Sequence, residues 1–200
     1  MKLRSGLLIS AFGVALAVLL AKDPAALGVA WPGSPAGIDA PHPVWREVKW
    51  PFLLDEWGIG RAYRCAPSDC GTEINLYLRA KIGFCNCSTG VSDNADLDRI
   101  SDLDLYSDDF VGLTDGHPVN VGRLKGRSRL YHVNIPYAAA RDMLAIGFND
   151  QCDVAVATVV ADPVVTDKDV RAQAEGLALD FLSSDPVQRW AAAELGQNGI

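Results

Sequence analysis

The chain has 200 residues, 49% hydrophobic and 22% charged, an ordinary globular composition that excludes disorder of the whole chain. That length suits one domain with room for a real core. The net charge of −7 disfavours nucleic-acid binding, which depends on neutralising phosphates.

The chain opens with Lys2 and Arg4, followed by residues 6–21, sixteen residues without a charge. As a helix this run spans about 24 Å, short of the ~30 Å hydrocarbon core of a bilayer. It therefore sits between the apolar region of a cleaved signal peptide and a short membrane anchor whose flanking Lys2, Arg4 and Lys22 snorkel. The small residues that cleavage requires are badly placed right after the run, where Leu19 stands at −3 from a cut after Ala21. Both readings carry the rest of the chain out of the cytoplasm and leave the basic amino end inside.

Residues 23–44 contain five prolines and three glycines, a density that prevents helix and favours extended, solvated chain. The expected organisation is therefore a hydrophobic segment over 1–22, a spacer over 23–44 and a globular domain over 45–200. The domain starts with Trp45, Trp50 and Trp57. Indole suits a membrane interface, but the plainer expectation is that the three tryptophans cover one edge of the core.

The clearest pattern follows. Ile74, Leu76, Leu78, Ala80, Ile82 and Phe84 alternate with polar residues or glycine, which predicts a half-buried strand over 74–84 with a bulge or bend at Gly83. Shorter strands are expected at 61–65 and 127–135. A hairpin is expected from 143–148 and 152–161 around Asn149-Asp150-Gln151. The run 152–161 is apolar on both faces, so it belongs in the middle of a covered sheet. A helix is expected over 93–103 with Leu97 and Ile100 inward. Two more close the chain. Thr166 opens a variant capping box ahead of Val170, Ala174, Leu177 and Phe181, and Asp185-Pro186 starts a short helix that Gly196 ends. The fold class is α+β: a mostly antiparallel sheet of four to six strands with C-terminal helices packed on it, preceded by an N-terminal hydrophobic helix.

Five cysteines are the first candidates for chemistry: Cys65, Cys70, Cys85, Cys87 and Cys152. Outside the cytosol cysteines pair, so disulfide staples are the leading expectation. In extended chain Cys85 and Cys87 hold their β-carbons about 6–7 Å apart, while a disulfide needs ~3.5–4.5 Å. These two should therefore bond elsewhere. Cys65 and Cys70 bracket a turn-like loop and either bond directly or reach across to Cys85 or Cys87, and Cys152 fits either network. Fifteen pairings leave one cysteine over. A zinc site from Cys65, Cys70, Cys85 and Cys87 is the weaker alternative, because C-x-C is tighter than the usual knuckle. A redox centre would more often show C-x-x-C opening a helix.

Eight aspartates lie between Asp93 and Asp115. They form no calcium-loop motif, so a solvated helix face and loop is expected. Arg123, Lys125, Arg127 and Arg129 share one parity, with Gly126 expected to turn the chain between them. They are read either as a small anion-binding site for headgroups or an envelope polymer, or as a surface strand that balances the aspartates. His42, His117 and His132 sit in no catalytic motif, and the chain lacks Gly-x-Ser-x-Gly, His-Glu-x-x-His and a phosphate-binding glycine loop. No catalytic residue and no cofactor is assigned. The functional expectation is an exported or membrane-anchored cell-envelope domain, a binding or structural module stapled by disulfides. Its expected partners are the membrane and an unidentified envelope protein or polymer. The alternative is a thiol- or metal-dependent envelope protein that uses Cys85 and Cys87.

Overall fold

The computed structural model describes residues 43–83, 86–162 and 168–196. The hydrophobic segment, most of the spacer, His42, Phe84, Cys85 and the Thr166 cap lie outside the described residues. Among the described residues no helix is long and apolar enough to cross a membrane.

The chain order is β1 (Trp45–Val48), β2 (Arg61–Cys65), α1 (Pro67–Cys70), β3 (Glu73–Lys81), α2 (Asn94–Ile100), a 3-10 turn (Leu103–Leu105), β4 (Phe110–Gly112), β5 (His117–Val121), β6 (Leu124–Val133), β7 (Arg141–Asp150), β8 (Asp153–Asp162), α3 (Lys168–Leu182) and α4 (Asp185–Leu195). The strands form one sheet of eight, ordered β1-β2-β3-β8-β7-β6-β4, with β5 also paired to β6. Every pairing is antiparallel. The α+β class with C-terminal helices holds, but the sheet is larger than the four to six strands expected. The extra strands are short edge strands that carry too few residues for a period-two signal. β5 contains Pro118, which is tolerated because β5 lies at an edge of the sheet.

Both faces of the sheet are covered. On one, α3 and α4 lay Ala174, Ala178, Leu182, Val187, Ala191 and Leu195 over Ile74, Leu76, Leu78, Ile146, Phe148 and Ala157. On the other, Leu97, Ile100 and Leu103 pack on Tyr131, Met143, Val154 and Val156. β8 is central between β3 and β7, as its two-faced apolar run requires. α2 starts at Asp93, whose side chain accepts from the Asp96 amide at 2.8 Å, and it buries Leu97 and Ile100. α4 starts behind Ser184, with Asp185 and Pro186 inside its first turn.

The long alternating run is corrected at its end. β3 stops at Lys81, Gly83 takes φ +68°, and Ile82 is 43% exposed. Ile74, Leu76 and Leu78 are fully buried under the helices, but so, on the opposite face, are Arg79 and Lys81. The strand is sandwiched rather than half-buried, because the segment around Leu103 covers its second face with a carboxylate. Asp102 takes Arg79 Nε at 3.0 Å and Nη2 at 2.6 Å, and Lys81 Nζ at 2.8 Å. The remaining nitrogen, Arg79 Nη1, reaches both oxygens of Asp55 at 2.6 and 2.7 Å. Burial pushes the Asp55 carboxyl up, but hydrogen bonds from Arg79 and the Trp57 amide outweigh it and hold it below the ordinary carboxylate range. The network ties the β1–β2 connection and the 3-10 turn to one strand.

The tryptophans cover the β1–β3 side of the sheet on both faces. Trp45 stacks on Phe181 of α3 at 4.7 Å, and Trp50 packs edge-on against Phe52 and Tyr77. Gly126 makes no turn. It lies inside β6 opposite Phe148, where the adjacent β7 backbone comes too close for a side chain, and the chain turns instead at Gly122, φ +59°.

Candidate functional site

The cysteines form two disulfides, Cys65–Cys70 and Cys87–Cys152. The first closes over α1, a single turn that Pro67 starts and Gly71 ends. The second joins Cys87 to the β7–β8 turn, where Val91 N also donates to Asn149 Oδ1 at 3.2 Å and Gly83 N to Asp153 Oδ1 at 2.7 Å. It pins the excursion that follows β3 to the far end of the central hairpin. Cys87 itself lies in a turn, beyond the end of β3 at Lys81. Three of the four sulfurs of the zinc alternative are thus in disulfides and supply no thiolate. Among the described residues no cluster of three or more His, Cys, Asp or Glu is arranged to hold a metal ion.

Most of the aspartate tract is exposed, with Asp93, Asp104, Asp108, Asp109 and Asp115 facing solvent as a solvated helix end and loop requires; Asp102 and Asp98 depart from that pattern. Asp93 caps α2, Asp102 is buried with Arg79 and Lys81, and Asp98 receives Arg129 Nη1 at 2.7 and 2.9 Å and the Tyr131 hydroxyl at 2.5 Å. Of the basic stretch, Arg127 donates to Asn94 Oδ1, Ser92 O and Gly116 O, and Arg129 to Asp98 and Thr114 O. These two guanidiniums fasten α2 and the β4–β5 connection to β6. Arg123, in the β5–β6 turn, and Lys125 of β6 stay exposed.

The structure gathers a different group under α3. Cross-strand register builds its floor in rows. His132 faces Asp142 in the first, Leu130, Leu144 and Val159 line up in the next, and His117, Ser128 and Ile146 in the one after. Successive rows on one face are about 7 Å apart, so the two histidine rows stand about 13 Å apart with an apolar row between them. α3 lies across these rows. Lys168, Arg171 and Glu175 follow one another at spacings of three and four, which places them on one helical face. Arg171 Nη1 donates to Asp142 Oδ2 at 2.8 Å, and His132 Nδ1 lies 2.8 Å from Asp142 Oδ1. An ionised carboxylate only accepts, so the imidazole carries its proton on Nδ1. At the other end His117 Nε2 lies 3.1 Å from Glu175 Oε1, within ion-pair distance once the ring is protonated.

Between these two ends α3 presents Ala172 and Ala174. A methyl in place of a longer side chain leaves a void over the apolar row, a cavity of about 400 Å³. Its floor is Leu130, Leu144, Val159 and Ala161, and its charged rim is Asp115, His117, Asp142, Lys168, Arg171 and Glu175. Asp142 and Arg171 also line an adjoining hollow of about 630 Å³ with Leu113, His132 and Ala140, so their ion pair stands between the two spaces. The cavity is of the size that takes a small molecule, and its mix of apolar lining with a few placed charges is that of a ligand site.

The sequence signals only a part of this site. His117 and His132 stood out as histidines, but their partners Glu175 and Asp142 are 58 and 10 residues away, with no shared motif. Arg171 and Lys168 carry no signal of their own in the sequence. The one faint sign is the helical pattern itself, where alanines at 172 and 174 stand beside spaced charges.

No family model, no curated protein and no solved structure matches this chain.

Proposed function

We propose that this protein is an exported, disulfide-stapled cell-envelope domain that binds a small amphipathic molecule in the slot beneath α3. The observation that carries the reading is the row order of the floor: an apolar row of Leu130, Leu144 and Val159 bounded at each end by a histidine–carboxylate pair. The ligand's apolar body covers that row, and an anionic group meets Arg171 and Lys168 at one rim. The two disulfides support residence in an oxidising compartment, and the charged-then-apolar start of the chain supports export. The thiol-dependent alternative is weakened because the Cys87 sulfur is bonded to Cys152.

The test uses 4-phenylbutyrate, a ring and short chain ended by a carboxylate, titrated into the full chain with methyl-labelled Leu and Val. Shifts at Leu130, Leu144 and Val159 that saturate together are the expected result. Ala174→Leu should abolish them by filling the slot, and Arg171→Gln should weaken them. Methyl shifts that are absent, or that survive unchanged in both variants, would overturn the reading. A thiol count on the native chain accompanies it: one reactive thiol is expected, and three or more would restore the alternative.

A further inference from the structure

The connection between β1 and β2 shows large aliphatic side chains to solvent. Leu53 is 89% exposed, Leu54 73% and Ile59 70%. Exposed leucines on a loose loop would mean little, but this loop is built. Phe52 turns inward onto Trp50, Tyr77 and Tyr106, at centroid distances of 5.0 to 5.2 Å. Asp55 is clamped by Arg79 Nη1, its side chain takes the Trp57 amide at 2.9 Å, and Gly58 N closes the turn onto Asp55 O at 3.1 Å. Phe52 and Asp55 therefore act as anchors on either side of Leu53 and Leu54, and the anchoring holds those two outward. A fixed loop that displays three aliphatics to solvent is a surface meant to be covered.

We infer that this loop rests in the interfacial layer of a lipid bilayer. The inference rests on the reading of residues 6–21 as a membrane-inserting segment. The spacer that follows, 22 residues over 23–44, leads straight into β1, and β1 leads into the loop. Proline-rich chain of that length, read as extended, reaches up to about 68 Å at ~3.1 Å per residue. The domain is thus held within reach of the surface, where its effective concentration is high and even a weak apolar contact is populated. Leucine, isoleucine and tryptophan are side chains that the interface accepts. Of the two acids in the loop, Asp55 has its charge taken by Arg79, and Glu56 is exposed, so the contact is a shallow one that leaves the Glu56 carboxylate in water. Contact through the loop would fix the orientation of a domain that the tether alone leaves free to tumble.

The experiment reconstitutes the full chain into vesicles of phosphatidylethanolamine and phosphatidylglycerol. An environment-sensitive fluorophore is placed on Leu54→Cys in a Cys85→Ser background. The control position is Val111→Cys, exposed on β4 at the opposite edge of the sheet. Flotation of the vesicles reports on the hydrophobic segment, and fluorescence reports on the loop. Co-flotation, with blue-shifted emission at 54 that doxyl-labelled lipid quenches several-fold more strongly than at 111, is the expected result. Adding Leu53→Asp and Ile59→Asp should abolish the shift without loss of flotation. Flotation with the same solvent-exposed emission at 54 and 111 would overturn the loop contact and leave the anchor standing. Failure to float would overturn both.

Discussion

Asp102→Asn removes the negative charge at the centre of the buried charge network and turns one of its two acceptor oxygens into a donor. Arg79, Lys81 and Asp102 have side-chain exposures of 2%, 4% and 2%, so none of their charges is relieved by water. In the wild type Asp102 and Asp55 both face this pair of cations. The variant loses the Asp102 charge and keeps that of Asp55, which reaches Arg79 Nη1 from the other side. Removing one member of a buried pair costs about 3–5 kcal/mol, mostly because a charge is left uncompensated. For a domain of this size each kcal/mol lowers Tm by roughly 2–4 °C, so Tm should fall by about 6–20 °C. Arg79→Met with Asp102→Leu removes one charge of each sign, and it should cost clearly less than the two single changes summed. Thermal and urea unfolding of the oxidised protein measure all four corners of that cycle. An Asp102→Asn variant within about 0.5 kcal/mol of wild type, the range of ordinary surface substitutions, would refute the claim that this network holds the second face of β3.

Other outcomes follow from the same structure. Replacing both cysteines of Cys87–Cys152 by serine opens a loop of 65 residues, worth about 4 kcal/mol in the chain-entropy model, against about 2 kcal/mol for the five-residue separation of Cys65–Cys70; urea midpoints should rank the two variants in that order. Asp55 has a folded pKa below its unfolded value of ~3.9, so its contribution is complete above that value and is lost as the pH falls through the folded one. Tm measured from about pH 5 to pH 2 should therefore fall less steeply in Asp55→Asn than in wild type. Gly176 sits in the interior of α3 with open space around it, and Gly176→Ala should stabilise by about 0.5–1 kcal/mol. Gly126→Ala should instead destabilise by about 1–3 kcal/mol, because its new methyl meets Phe148 Cβ at 2.8 Å; chemical unfolding gives both signs.

Local pattern was enough for the elements whose neighbours repeat a simple rule. The apolar run of β8 implied a central strand because both faces of such a strand must be covered. Leu97 and Ile100 implied an inward helical face because a spacing of three puts them on one side. Asn149-Asp150-Gln151 implied the hairpin, and Gln151 indeed takes φ +52°. The α3 stripe was displaced: Ala174, Ala178 and Leu182 form its buried line, with Leu177 and Phe181 beside it. That displacement reflects the size of the residues, since the small alanines let the helix approach the sheet.

What the sequence by itself determined is the set of short-range preferences: where the longer strands and the helices form, though not the short edge strands, and that the chain starts with a basic, then apolar, segment. Register and layer order were decided only by the tertiary structure. A half-buried and a sandwiched strand share the same alternation near Ile74, and they part company only when Asp102 arrives from 21 residues beyond Lys81 to neutralise Arg79 and Lys81. The slot has the same origin. His132 and Asp142 meet because β6 and β7 pair in one register, and Arg171 reaches Asp142 while Glu175 reaches His117 because α3 crosses that face. Contacts between residues distant in sequence leave no periodic trace in the chain, since each requires only that one side chain be present at the one position where packing brings it.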